Sequence, residues 1–307
     1  MLLTEAGLPE AVALDAVDDD GEGLDNQLWR VTLQDGSTVL LRQSKVLSPS
    51  PRTRVDFLRH NGVPVPVLHA ADDTGHALWE YVPGATLASS VEQGVATESM
   101  WARTGQAFAA VHAAEFPAPL QGAITLDGVD LRPLDPVEQL LTRIEASRSW
   151  AADHLEQAEA LLDRVTAFVD ANSHRIRAER PAVTHGDTNL LNIIVDDHSV
   201  SLIDWDYPAV RYPLDELSAL DEHAHLHGLD GLPSAFFTGY GRPVAPDLLF
   251  AYRAVGCLGW LRSDEWLSWQ SDPGLPEPAQ HRLRHWHSRL LTWVTEEFPR
   301  AAQDLLA

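Results

Sequence analysis

The sequence predicts an α+β chain of two unequal lobes, a small β-rich lobe ahead of a large, mainly helical one. Three observations carry this. Apolar–polar alternation broken by turn residues is confined to about the first 80 of the 307 residues. Apolar spacings of three and four dominate after that. One β-rich pattern, residues 182–205, interrupts the helical part. The boundary is expected at a tight link near residues 82–85, giving lobes of 1–83 and 84–307.

In chain order, "QLWRVTL" (27–33) alternates, "QDG" turns, and "STVLLR" (37–42) returns, which reads as a hairpin. "RTRVDFLRHNG" (52–62) predicts a short helix ending at Gly62. The prolines of "VPVPVLHA" (63–70) forbid helix, and "HALWEYVPG" (76–84) is a strand closed by Pro83-Gly84. "TESMWARTGQAFAAVHAAEF" (97–116) places Trp101, Thr104, Phe108, Val111 and His112 on one helical face. "PVEQLLTRIEASRSW" and "DHLEQAEALLDRVTAFVDA" continue that period. The strands "AVTH" (182–185), "NIIVDD" (192–197) and "SVSLIDW" (199–205) follow, then helices again, including "HRLRHWHSRLLTWVTEEF".

Composition narrows the function classes. Hydrophobic residues make up 45% and charged residues 22%, as in a globular protein. No apolar run approaches the roughly 18–20 residues that cross a bilayer. The start "MLLTEAGLPEAVALD" lacks the pattern of a signal peptide. Cys257 is the only cysteine, which fits a reducing, cytoplasmic location. Asp and Glu total 45 against 22 Lys and Arg, a net charge of −23. Such a surface repels nucleic acid and anionic membranes and attracts cations, so the charge reads either as that of a generic acidic, soluble protein or as that of one with a cationic small-molecule substrate.

The chemistry concentrates in "HGDTNLLNIIVDDHSVSLIDWD" (185–206). Asp187 follows one strand, Asn192 opens the next, and Asp204 ends the third. A hairpin of that length folds Asn192 and Asp204 to the same end of the ladder. An amide oxygen and a carboxylate suit Mg²⁺, which takes hard oxygen ligands and completes its shell with water and phosphate. Asp187 in the adjoining loop then suits a general base that orients a hydroxyl for phosphoryl transfer.

"H-G-D-x-x-x-x-N", a short hairpin, then "I-D-W-D" resembles the signature of the aminoglycoside phosphotransferase and choline kinase group, within the protein-kinase-like bilobal fold. The resemblance implies a phosphotransferase acting on an alcohol group, with ATP or GTP as co-substrate and Mg²⁺ as cofactor. It implies that Asp187 is the catalytic base, that Asn192 and Asp204 bind Mg²⁺, and that His185 packs the loop. Asp206 resembles the second acid of the family's D-x-D, supporting the metal or touching substrate. Asp215 in "YPLDEL" resembles a residue that braces the catalytic loop. By the same resemblance the first lobe binds nucleotide, and the second carries catalysis and substrate.

Upstream, "GEGLDNQLWRVTLQDGSTVLLR" resembles the nucleotide-covering hairpin, with Gly21 and Gly23 freeing backbone N–H groups for phosphate. Asp18, Asp19, Asp20 and Glu22 stand awkwardly beside that role. Arg42 takes the place of the phosphate-binding lysine, ahead of Lys45, the only lysine in the chain. The helix expected to supply a glutamate partner contains none, and Asp56 is its only acid. "ALWEYVPG" resembles the hinge, where backbone groups of Glu80 and Val82 bind the purine. His112 resembles a packing histidine of the family.

Acceptor selection is expected after residue 206. His223, His225 and His227 in "DEHAHLHG" read as solvated surface rather than a metal site. Trp260, Trp266 and Trp269 beside Asp264 and Glu265 read either as core tryptophan or as an aromatic, acidic lining for a cation. The acceptor readings are an aminoglycoside-like or basic peptide antibiotic, a choline- or ethanolamine-type amino alcohol, or no acceptor at all in a kinase-like binding protein.

Overall fold

The structure, a computed structural model, describes residues 2–17, 26–44 and 49–305. A short helix α1 (Leu2–Glu5) precedes strands β1 (Ala11–Ala16), β2 (Asn26–Leu33) and β3 (Thr38–Ser44), helix α2 (Arg52–His60), and strands β4 (Leu68–Ala71) and β5 (His76–Glu80). The five strands form one antiparallel sheet in the order β1-β2-β3-β5-β4. At the β2–β3 turn the Asp35 carboxylate accepts from the Ser37 N–H at 2.9 Å and its hydroxyl at 2.6 Å.

Period-two alternation gives this sheet two different faces. Val31, Leu33, Val39 and Leu78 pack with Leu2 and Leu3 on one side. Arg42, paired with Ala77, faces the other way, where Ala77 and Trp79 meet Val55 of α2. Helix α2 turns Arg54, Val55 and Leu58 inward and leaves Asp56 exposed.

The larger part begins with β6 (Ala85–Thr86), α3 (Leu87–Glu92) and α4 (Glu98–Val111). Strands β7 (Leu120–Ala123) and β8 (Arg132–Pro133) and helices α5 (Pro136–His154), α6 (Ala158–Ala171) and α7 (Ser173–Ala178) follow. Next come β9 (Ala182–Thr184), β10 (Ile193–Val195), β11 (Val200–Leu202) and β12 (Ala209–Arg211). Helices α8 (Pro213–Leu226), α9 (Ser234–Tyr240), α10 (Pro246–Leu261), α11 (Asp264–Trp269), α12 (Glu277–Thr292) and α13 (Phe298–Leu305) close the chain. The expected α+β fold class stands.

Two small sheets, β11-β10-β6 and β8-β7-β12-β9, frame the segment 185–206. Pairing of Ile194 with Thr86 ties its hairpin to the chain that leaves the first sheet. Helices α4 and α9 approach closely because Gly105 and Gly239 lack side chains. A Cβ on Gly105 would sit 2.1 Å from the Phe236 carbonyl oxygen, and one on Gly239 1.8 Å from that of Ala102.

Two expectations need correction. Helix 97–116 stops at Val111, because the next residues turn to meet β9: the Phe116 N–H donates to Pro181 at 2.7 Å, and that of Val183 to Ala114 at 2.9 Å. The histidines 223, 225 and 227 are not solvated surface. They lie on and just after α8, with His225 and His227 buried and His223 partly so. His223 and His227 stand edge-on to Trp286, with ring centroids at 5.9 and 5.4 Å. Loss of solvation pushes His223 and His225 down to about 4, so both are neutral at pH 7.

Candidate active site

The loop between β9 and β10 is built around His185. Its Nε2–H donates to the Ile203 carbonyl at 2.7 Å, and its Nδ1 accepts from the Asp187 N–H at 3.3 Å. The ring lies 4.4 Å from that of buried Trp205, whose indole N–H donates to Leu202 at 2.9 Å. His185 is thus the expected packing residue, and it sets the path of the backbone at Asp187. Gly186 has φ +83°, and a Cβ there would fall 1.9 Å from the Tyr207 carbonyl oxygen, so only glycine fits.

The hairpin register supplies the rest. Ile193 pairs with Leu202, and the Ile203 N–H donates to the Asn192 carbonyl at 2.9 Å, so Asp204 lies one residue beyond the closed ladder. The Asn192 amide nitrogen donates to the Asp187 carbonyl at 3.4 Å, which turns the amide oxygen the other way. Asp204 has φ +61°, a left-handed conformation that costs roughly 1–2 kcal/mol for most L-residues and least for Asp and Asn. Its Oδ1 is buried without a hydrogen-bond donor among the described residues. Burial raises the Asp204 carboxyl to about 6, Arg42 opposes that, and Asp206 and Asp187 add to it. These groups therefore lie within electrostatic reach of one another.

A buried carboxylate oxygen that makes an ion pair to Arg42 but no hydrogen bond, with an amide side chain at the same end of the hairpin, fits a hard divalent cation that brings its remaining ligands as water and phosphate. Among the described residues no three His, Cys, Asp or Glu side chains cluster to hold a metal by themselves. Two protein oxygens and a phosphate-bearing substrate match Mg²⁺ better than they match zinc.

The basic residues are arranged differently from the expected lysine–glutamate pair. Arg42 reaches Asp204 Oδ1 at 3.2 Å and Asp206 Oδ1 at 3.3 Å, with a further short contact to Asp206 Oδ2. Arg54 donates to Asp206 Oδ1 at 2.7 Å and to the Asp206 main-chain carbonyl at 2.6 Å. At the buried position of α2, where the resemblance expects a glutamate, stands Arg54, and the acid, Asp206, comes from 152 positions further along the chain. Burial would raise the Asp206 carboxyl, but Arg42 and then Arg54 outweigh it and hold it below the usual range. Both arginines, with Asp206, Trp79 and His76, line a cavity of about 380 Å³.

The loop is braced by Glu216 rather than by Asp215. Glu216 Oε1 accepts from the Gly186 N–H at 2.8 Å, and Oε2 lies 2.7 Å from His112 Nε2. His112 Nδ1 meets the Tyr240 hydroxyl at 2.8 Å, so both of its nitrogens are satisfied, as a packing histidine requires. Asp215 instead pairs with Arg143 at 2.7 Å.

The remaining expectations divide. The Glu80 N–H is taken by the Val67 carbonyl at 2.7 Å and its carboxylate accepts from the Val67 N–H at 3.0 Å, so the Glu80 N–H is not open to a base. Val82 follows β5, partly exposed. Gly21, Gly23 and Lys45 lie outside the described residues. Trp266 is turned inward against Trp260, centroids 5.3 Å apart, while Trp260 is 39% exposed and Asp264 fully on the surface. The α8 residue whose charge feels Asp187 is His223. Sequence reading missed Arg54, Glu216 and His223; "YPLDEL" held the only signal, one residue away from Glu216.

The phosphotransferase enzyme family model matches residues 18–253. No curated protein matches the chain in sequence. Among solved structures, a choline/ethanolamine kinase family protein from Mesorhizobium loti is 17% identical, with TM-score 0.59 and coverage of 99% of this chain and 97% of that one. The aminoglycoside phosphotransferase APH(4)-Ia is 14% identical, with TM-score 0.58 and coverage of 94% and 96%. An ethanolamine kinase of Plasmodium vivax is 14% identical, with TM-score 0.56 and coverage of 94% and 84%. At these identities the likeness is one of fold.

Proposed function

We propose that this chain, which belongs to the phosphotransferase enzyme family, transfers the γ-phosphoryl group of ATP or GTP to a hydroxyl of a cationic small molecule. One observation carries the reading. Asp204 Oδ1 is buried and makes an ion pair to Arg42 at 3.2 Å but no hydrogen bond among the described residues, and the charges of Asp206 and Asp187 bear on it. A carboxylate oxygen with unused lone pairs in such a place can take a hard cation.

The roles follow from the chemistry. Asp187 orients the acceptor hydroxyl and takes its proton as the oxygen attacks the γ-phosphorus; the bond to the bridging oxygen breaks and the nucleoside diphosphate leaves. Mg²⁺ on Asn192 and Asp204 would neutralise the charge of the phosphates. Arg42, with the backbone at Gly21 and Gly23, holds the phosphates. The Glu80 carbonyl and Val82 N–H hold the purine edge.

The net charge of −23 favours a cationic acceptor, an aminoglycoside-like or basic peptide antibiotic, which would make the chain a resistance enzyme. A half-exposed Trp260 beside Asp264 gives an ammonium group a face to rest on, which fits a choline- or ethanolamine-type amino alcohol equally. Retention of Asp187, Asn192 and Asp204 together speaks against a kinase-like binding protein. The test is a panel of aminoglycosides, basic peptides and amino alcohols, each with ATP and with GTP, read as acceptor-dependent nucleotide consumption. Consumption stimulated by a cationic alcohol supports the reading. Nucleotide binding without turnover on any acceptor would leave the binding-protein alternative.

A further inference from the structure

Two arginines from different elements grip one carboxylate, and a simple interlobe tie needs only one of them. Arg42 comes from β3 and Arg54 from α2, and Asp206 lies more than 150 positions further along the chain, 164 from Arg42 and 152 from Arg54. Their grips differ. Arg54 is 8% exposed and holds both the carboxylate and the main-chain carbonyl of Asp206. Arg42 is 16% exposed and divides one terminal nitrogen between Asp206 and Asp204 at 3.3 and 3.2 Å.

The charges of this cluster balance only in pairs. Arg42 and Arg54 offset Asp204 and Asp206. Asp204 would hold the metal, which would supply the neutralisation of that carboxylate, and Arg42 would then be open to exchange its carboxylates for the triphosphate. If Arg42 were the sole partner of Asp206, its departure would strand a largely buried carboxylate. With Arg54 in place, Asp206 stays paired through charge-assisted hydrogen bonds when Arg42 leaves.

We infer that Arg54 is a positioning residue for the nucleotide: it keeps Asp206 neutralised, so that Arg42 is free to exchange its carboxylates for the triphosphate. This rests on the phosphotransferase reading above. It also accounts for the absence of a glutamate on α2. An acid there would hold Arg42 directly, whereas this chain has moved the acid to Asp206 and given the helix the second base.

The test compares the full chain with Arg54→Met, Arg54→Lys and the double variant Arg54→Met/Asp206→Asn. Calorimetry gives the affinity of each for Mg·ATP, Mg·GTP and the corresponding nucleosides. Arg54→Met is expected to weaken the magnesium triphosphate by about tenfold or more and to leave the nucleoside unchanged, since only the phosphates need Arg42. Arg54→Lys keeps the charge but loses the two-pronged grip, so it recovers part of the loss. The double variant regains triphosphate affinity, because Asp206 is then neutral and Asp204, the remaining carboxylate on Arg42, would be neutralised by the magnesium that arrives with the nucleotide.

A purely structural Arg54 would lower the melting temperature and leave the triphosphate-to-nucleoside affinity ratio as in the wild type; that result overturns the inference. If Arg54→Met does not fold, Arg54→Lys is read alone, with about a threefold drop in the ratio expected and an unchanged ratio overturning it. A wild-type chain that binds neither nucleotide removes the phosphotransferase reading first, and shows itself before any variant is made.

Discussion

Glu216 Oε1 accepts a hydrogen bond from the Gly186 N–H at 2.8 Å, so helix α8 holds the loop that carries Asp187. The second oxygen of the same carboxylate lies against His112, and the side chain is 3% exposed. Glu216→Ala leaves a loop N–H and a buried imidazole nitrogen without partners, each worth about 1–3 kcal/mol. Glu216→Gln keeps an oxygen for Gly186 and offers its amide N–H to His112, whose other nitrogen can then donate to Tyr240. Urea denaturation should show Ala losing roughly 2–5 kcal/mol and Gln about 1 kcal/mol. Equal losses would mean that the hydrogen bonds do not carry the brace.

The second prediction concerns Asp187. Asp187→Asn preserves shape and the 3.4 Å contact that Oδ1 accepts from the Asn189 N–H, and removes the proton acceptor. Turnover on the best acceptor should fall by about 10²–10⁴, the usual worth of a general base. Mg·ATP affinity should stay within about threefold, since the residues proposed to hold metal and phosphate, Asn192, Asp204 and Arg42, are all unchanged. Unchanged turnover would take Asp187 out of the mechanism.

The contrast between Asp187 and Arg54 shows what a sequence can reveal. Asp187, Asn192 and Asp204 fall within 18 residues, in a loop and the hairpin that follows it, so residue types and spacings alone suggest that they act together. Arg54 meets Asp206 across 152 positions, and Glu216 meets His112 across 104. Such pairings depend on how the lobes and helices dock, which no local pattern encodes. The histidines of α8 misled for a related reason. A polar run usually marks a solvated face, but Glu216, Glu222, Ala224 and His225 are all buried, so this helix has no consistently polar side. Strands of two residues, such as β6 and β8, are too short to show alternation at all.

Glu222 makes stability depend on pH. It is fully buried on α8, receives the Cys257 thiol at 3.2 Å, and is pushed up to about 7 by burial, with Arg253 and Arg143 opposing and Asp221 adding. Unfolded, the group titrates near 4.5. Below that pH both states hold the proton. Between 4.5 and 7 only the folded state does, so stability falls as pH rises through this window and levels off above it, by a total on the order of 3 kcal/mol. Glu179, also raised to about 7 by burial, slopes the same way, so the informative quantity is the difference between wild type and Glu222→Gln. The buried histidines His223 and His225, pushed down to about 4, slope the opposite way, so the signed change is what is read: from pH 5 to pH 8 the melting temperature of Glu222→Gln should fall less, or rise more, than that of the wild type. An identical signed change in the two proteins would show that Glu222 is ionised or solvated in the folded state.

The crossing of α4 and α9 gives the last prediction. Gly105 stands where a Cβ would approach the Phe236 carbonyl oxygen to 2.1 Å and the Tyr240 nitrogen to 2.6 Å, and both of those are backbone atoms of α9. No side-chain rotation can relieve such contacts, so Gly105→Ala must push the helices apart. Overpacking of this kind costs roughly 1–3 kcal/mol, and more where backbone must move. Displacement of Tyr240 also lengthens its 2.8 Å contact with His112, which stands behind Glu216 and Gly186. The variant should therefore show an earlier urea midpoint with an unchanged slope, and a fall in turnover larger than any change in nucleotide affinity. A variant of full stability would mean that α4 and α9 are farther apart than these distances allow.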